Sequence, residues 1–303
     1  MKEIKAKKTR KPTSPGDRAF DIAVYVILAI VMLVILYPLY FVVIASLSDP
    51  LAVMSGQVIF TPVSLNFESY RLVFKDSRVL IGYRNTILYT VAGTALNIFM
   101  SVAAAYPLSR KNLKGKGIGL GMMVFTMFFS GGMIPTYINM NSLGLLNTFW
   151  VMILPCALSV YNVMIMRTYF STSIPFEIEE AAMIDGASHY RTLWSVVLPL
   201  SKPILAVMVL FYAVNHWNSY FDALLYLSDE SRYPLQLVLR SILIQSQASE
   251  ESFAGIGSTY NRMLLSETMK YALIIVASVP VLILYPFLQK YFVKGVMIGS
   301  VKG

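Results

Sequence analysis

Six predominantly apolar stretches, each about twenty residues or longer, recur along the chain, near 22–46, 85–108, 118–138, 149–170, 199–227 and 268–292. A helix of that length crosses the hydrocarbon layer of a bilayer. Inside lipid every backbone N–H and C=O must be satisfied within the protein, which leaves the helix as the natural solution. An ordinary buried core helix is shorter and polar on one face. Composition agrees with this reading: 56% of the 303 residues are hydrophobic and only 14% are charged, against roughly a quarter charged in a soluble domain. The expected fold class is all-α, a polytopic membrane protein with about six transmembrane helices.

The formal net charge of +9 would suggest a nucleic-acid partner in a soluble chain. Its distribution argues for the bilayer instead. Lys2, Lys5, Lys7, Lys8, Arg10, Lys11 and Arg18 precede the first span, Arg110, Lys111, Lys114 and Lys116 crowd the second loop, and Lys290, Lys294 and Lys302 follow the last span. The positive-inside rule then places both termini, the second loop and the loop around Glu180 in the cytoplasm. The basic arm, residues 1–21, is expected to set topology and meet anionic lipid, with no nucleic acid involved. The apolar core of 22–46 exceeds a signal-peptide h-region, so an uncleaved anchor is expected. Cys156 is the sole cysteine and falls within a predicted span, which leaves no disulfide framework or cysteine metal site.

Between the spans the chain is punctuated. The second span is rich in small residues (Gly93, Thr94, Ala95, Ser101, Ala103, Ala104, Ala105), which predicts close helix packing inside a bundle. The third is interrupted by Ser130-Gly131-Gly132 and Pro135, either because it lines a wet pathway or because a glycine caps a helix end. In the fifth, Asn215, Asn218 and Asp222 are spaced three and four apart and should share one helical face. Polar groups at that depth face an interior cavity or bond neighbouring helices. Trp217 and Tyr220 lie in the same stretch, which makes these five residues the candidates for lining a substrate pathway. A long fifth loop, 228–267, holds Gln245, Gln247 and Ser249 and is expected to be functional or disordered.

The segment 174–199 differs from the rest. Pro175 suits a first helical turn, with Glu177, Glu179 and Glu180 near its positive end. Ala181 and Ala182 keep the helix slim, Asp185-Gly186 reads as a turn, and Tyr190, Leu193, Trp194, Val197 and Leu198 recur at helical spacing up to Pro199. A helix, a glycine turn and a second helix result. A lipid-facing interfacial helix is the alternative, but such helices are rich in Lys and Arg whereas this one begins acidic.

Glu180-Ala181-Ala182, Asp185-Gly186-Ala187 and the following Leu198-Pro199 resemble the EAA loop of bacterial ABC-importer permeases, with no departure from the core pattern. Asn85-Thr86-Ile87 and the run from Ala104 to Arg110 are similar to the second-span segment of carbohydrate-importer permeases of the maltose-system type. The run from Gln289 to Gly303 resembles the tail of the maltose permease that reaches the ATPase interface. Phe129 to Tyr137, Leu143 to Thr148 and Phe211 to Asn218 resemble a subgroup handling complex oligosaccharides from polysaccharides.

The resemblance implies a type I ABC-importer permease fold: a transmembrane domain over 22–292, with a coupling loop at 174–199, an outer loop at 228–267 and a cytoplasmic tail at 293–303. It implies a bacterial cell membrane location and a complex with a second homologous permease, two cytosolic ATPase subunits and an extracellular solute-binding protein, carrying an oligosaccharide. Glu180, Ala181, Ala182, Asp185, Gly186 and Ala187 would dock on the ATPase. Gln245, Gln247 and Ser249 would meet the binding protein. No catalytic residue is implied and the chain would hold no cofactor, since ATP and Mg²⁺ belong to the ATPases.

Absences in the sequence fit that expectation. No GxxxxGK[ST] loop is present, and no His, Asp and Glu constellation suggests a metal or hydrolytic site. An ion-coupled secondary transporter is the rival reading, but it needs ionisable groups at membrane depth, where Asp222 stands almost alone. A membrane-embedded glycosyltransferase lacks an acid–base cluster.

Overall fold

The computed structural model describes residues 15–252, 269–283 and 286, and these are helical apart from turns and connections. The helices are α1 (Pro15–Ser46), α2 (Pro50–Met54), α3 (Glu68–Lys75), α4 (Ser77–Ser109), α5 (Lys116–Phe128), α6 (Met133–Ser142), α7 (Val160–Thr172) and α8 (Phe176–Ile184). They continue as α9 (His189–Leu200), α10 (Lys202–Trp217), α11 (Phe221–Tyr226), α12 (Leu235–Ser252) and α13 (Met269–Ile283).

The bundle is organised by α4. At 33 residues it is about 50 Å long, enough to cross a bilayer and project beyond it. Asp76 caps its start, accepting the Arg78 N–H at 2.9 Å. Helices α7, α10 and α12 pack along it. Near its Arg110 end, Val102, Ala105 and Tyr106 pack with Met166 and Phe170 of α7 and with Met208 of α10. Near its Ser77 end, Val79 joins Leu235, Val238, Leu239 and Ile242 of α12 and Leu273 of α13.

The small residues of α4 act as expected. Gly93 lies against His216 of α10 so closely that a Cβ would collide with the imidazole ring. Four residues on, the Asn97 Oδ1 lies 2.7 Å from His216 Nε2, and after four more Ser101 Oγ shares a 2.6 Å hydrogen bond with Tyr212. The i, i+4 spacing on both helices lines these polar groups up in register.

The spans are less regular than their apolar runs imply. Among the described residues, α1 and α4 alone are straight, long and apolar enough to cross a membrane. The pairs α5–α6 and α9–α10 reach that length only with bends of 113° and 82°. The interruption at 130–132 is therefore a sharp break between two helices rather than a cap at a span's end. The expected fourth span, 149–170, is helical only from Val160. Its first part is a 3-10 turn, Trp150–Met152, followed by turns through Pro155, and Ser159 caps α7.

Of the 228–267 stretch, residues 228–252 are described and are not a plain loop, and 253–267 lie outside the described residues. Leu235, Val238, Leu239 and Ile242 fall at i, i+3, i+4 and i+7 and bury one face of α12. That helix is anchored where the Leu235 N–H donates to Thr86 Oγ1 at 2.8 Å. The turn before it is clamped from two sides. Asn85 Nδ2 donates to Ser231 O and Tyr233 O, at 2.8 and 3.0 Å, and Asn147 Oδ1 accepts from the Ser228 and Asp229 N–H groups.

Candidate functional site

Two regions carry functional geometry: the projecting segment after α7 and an open groove between helices of the bundle. In the first, α8 ends in a tight reversal. The Gly186 N–H donates to Met183 O and the Ala187 N–H to Ala182 O, both at 2.9 Å, with Gly186 at φ +81°. This is a Schellman ending, whose left-handed residue disfavours any side chain but tolerates Asn. Ser188 then caps α9. A π-turn, Leu193–Val197, precedes Pro199.

Of the six EAA residues, Glu180, Ala181, Asp185 and Gly186 are exposed, while Ala182 and Ala187 are half-buried. The apolar residues of α9 do not form the single inward face their spacing predicts. Val197 is buried and Leu193 and Leu198 pack on the core, but Tyr190 and Trp194 point outward, 80% and 65% exposed, beside Ile184 at 86%. The π-turn widens the helix here, and a four-residue step keeps Tyr190 and Trp194 on one side. The result is a projecting surface of apolar and acidic groups.

Behind this surface lies a residue that the sequence did not single out as a site. Glu179 is fully buried and pairs with Arg110, the C-cap residue of α4. Arg110 also donates to Phe170 O of α7 at 3.2 Å and to Ser109 Oγ at 2.9 Å, and lies over the Tyr106 ring. Among the Lys residues of the second loop its charge reads as a topology signal, which hid this role.

The second region is a cavity of about 650 Å³ between α7, α10 and α13, lined by Cys156, Ser159, Tyr161, Asn162, Phe211 and Asn215 among others. Tyr161 and Phe211 offer exposed aromatic surface, and Asn162 and Asn215 offer amides. Of the five pathway candidates only Asn215 lines this groove. α10 stops at Trp217, so the three-and-four spacing does not continue to Asp222. Trp217 packs in the core, 6% exposed, its indole N–H donating to Ala277 O at 3.0 Å and its ring against Tyr83. Asn218 caps α10, its Nδ2 donating to Val214 O at 3.0 Å. Tyr220 is exposed beneath the Arg240 guanidinium, and Asp222 meets the groove wall through Cys156, whose Sγ lies 3.9 Å from its Oδ2. Asn162 was the missed signal: an amide inside an apolar run.

Gln245, Gln247 and Ser249 sit in the last turns of the α12 backbone rather than in a loop. The glycines 255 and 257, the tail 293–303 and the first fourteen residues of the basic arm lie outside the described residues, while α1 already begins at Pro15.

An all-α bundle with broken spans, an open groove between its helices and an exposed helix–turn–helix defines a polytopic membrane transport component. The chain belongs to the family of binding-protein-dependent transport system inner membrane components, whose model matches residues 78–298. It is 40% identical over 287 residues to the polygalacturonan/rhamnogalacturonan transport system permease protein YtcP of Bacillus subtilis (strain 168), covering 95% of this chain and 99% of that one. It is 39% identical to protein LplC of the same organism, covering 95% and 96%. Its fold matches a crystal structure of a bacterial ABC transporter involved in the import of the acidic polysaccharide alginate. There the TM-score is 0.84 and the identity 36%, covering 93% of this chain and 100% of that one. The chain is a transport permease component and not an enzyme.

Proposed function

We propose that this chain is a permease subunit of an ATP-driven, binding-protein-dependent importer of oligosaccharides in a bacterial cell membrane, with both termini cytoplasmic. A second, homologous permease would complete the pathway, two cytosolic ATPase subunits would bind ATP and Mg²⁺, and an extracellular solute-binding protein would deliver the sugar. The observation that carries this reading is the projecting face of 174–199. Ile184, Tyr190 and Trp194 are exposed, as are Glu180 and Asp185, while Glu179 fixes α8 to the bundle. Such a face fits a protein groove with apolar and basic surface better than it fits lipid alone. The relatives named above support the sugar class.

The groove supplies the cargo-facing chemistry. Tyr161 and Phe211 would stack on sugar rings, and Asn162 and Asn215 would bond hydroxyls, in a cavity of the size that takes small ligands. Gln245, Gln247 and Ser249 remain candidates for contact with the binding protein, now as part of a helix end. No observation favours the ion-coupled alternative.

Reconstitution of the complete complex in proteoliposomes tests the reading. Labelled oligosaccharide uptake should require ATP on the ATPase side and persist when proton and sodium gradients are collapsed. Uptake that follows such a gradient without ATP would sink it.

A further inference from the structure

We infer that the Arg110–Glu179 ion pair is the joint through which displacement of the projecting segment is passed into the bundle, so that both are positioning residues for coupling. The inference rests on the docking role proposed for 174–199. Its ground is the placement of a single buried charge. Glu179 lies in the first turn of α8, a nine-residue helix whose Glu177 and Glu180 are exposed, as is its C-cap Asp185. A fully buried carboxylate is stable only when paired, and its partner comes from 69 residues away, at the end of the organising helix.

Arg110 connects more than two helices. Its planar fork reaches Glu179 of α8 and Phe170 O of α7, while its Nε holds Ser109 Oγ of its own chain end. A reciprocal bond runs the other way, from Arg167 Nε of α7 to Leu108 O of α4 at 3.0 Å. The ends of α4 and α7 are thus locked together, with α8 attached to that lock through Glu179. The covalent path from α7 to α8 is only Ser173–Pro175, anchored by Ile174 in the apolar core.

The physical consequence concerns slip. Packed helices can shear by small readjustments of apolar side chains, whereas a bonded polar pair fixes one register between them. An ion pair in a buried site resists shear, because separating it leaves an unpaired charge away from water. Motion of α8 would then be delivered to α4 and α7 as a unit. Through α4 it would reach α10, which lines the groove with α7.

The experiment uses the assembled complex, with Glu179→Gln, Glu179→Asp and Arg110→Lys in this subunit, measuring ATPase co-purification, ATP hydrolysis and sugar uptake. Glu179→Gln is expected to assemble and hydrolyse ATP while sugar moved per ATP falls by about fivefold or more, with Arg110→Lys behaving likewise. Coupling at the wild-type ratio in both variants would overturn the joint. If Glu179→Gln does not assemble, Glu179→Asp decides. Assembly with a reduced uptake-to-hydrolysis ratio supports the joint, whereas assembly at the wild-type ratio, or no assembly, assigns the pair to packing and overturns it. A wild-type complex with no ATP-dependent uptake would instead defeat the functional reading itself, a result distinguishable because it needs no variant.

Discussion

His216 Nε2 and Asn97 Oδ1 meet at 2.7 Å across the interface of α4 and α10, and the interface has the shape that this bond requires. Asn97 Nδ2 donates to Cys156 O, so its Oδ1 is the atom that faces the imidazole and accepts. The proton therefore sits on Nε2. Gly93, one turn earlier on α4, leaves the room that the ring occupies.

Gly93→Ala is expected to destabilise the chain, since the added Cβ collides with a buried ring that has packed neighbours on α4. The His216–Asn97 coupling itself should be modest, on the order of 0.6–1.7 kcal/mol, as found for hydrogen bonds between membrane helices. A double-mutant cycle with His216→Leu and Asn97→Leu, read by unfolding in mixed micelles, measures it. A zero coupling energy would refute the bond's contribution.

At Gly186 the backbone and the docking surface make separable demands. The left-handed φ makes Gly186→Ala unfavourable by about 1 kcal/mol, and Gly186→Asn should be close to neutral for folding because Asn tolerates this region. Open space surrounds the position within this chain. A loss of ATPase docking in a well-folded Gly186→Asn complex therefore reports close approach by a partner, and Gly186→Leu should add backbone strain to that loss. Wild-type ATPase affinity in Gly186→Asn would remove the close approach.

Trp217 is expected to matter for stability and not for sugar affinity. Trp217→Phe keeps most of the packing and loses the N–H bond to Ala277 O, a change of about 1 kcal/mol. Trp217→Ala should cost about 3–5 kcal/mol. Tyr161→Ala and Asn215→Ala, at the groove, should do the reverse, lowering uptake while thermal unfolding barely moves. An altered sugar preference in Trp217→Phe would return that residue to the pathway.

Asp76 gives a pH dependence with a defined sign. The Arg78 side chain, bonded to its carboxylate, holds Asp76 below the usual carboxylate value. A depressed folded value means the contribution is present in full above the unfolded pKa, about 3.9, and is lost as pH falls through the folded one. The size is small because the Arg78 side chain is partly exposed to screening solvent. Asp76→Asn keeps a cap that does not titrate, so its unfolding midpoint should fall less steeply in acid than the wild type's. Identical acid profiles would count against the cap's electrostatic part.

The projecting segment was readable because its signals are local. Proline, carboxylates and glycine at fixed offsets specify a helix, its dipole end and a left-handed turn without help from distant residues. The amphipathic face of α12 was written as plainly, in Leu235, Val238, Leu239 and Ile242, but polar residues on either side made it look like loop. The pathway residues failed for a different reason. Helical spacing places Asn215, Asn218 and Asp222 on one face only if the helix continues, and α10 ends at Trp217.

The sequence by itself determined the membrane class, because apolar length and charge placement act through the bilayer, which needs no tertiary contact to exert its preference. It also determined the helix–turn–helix at 174–199. Which side chains come together was set by packing between distant segments. Arg110 and Glu179 bond across 69 residues and Asn97 and His216 across 119, while Asn162 and Asn215, 53 apart, line one groove. Such pairings depend on how α4 packs against α7, α8 and α10, a matter of shape and burial that no local pattern encodes.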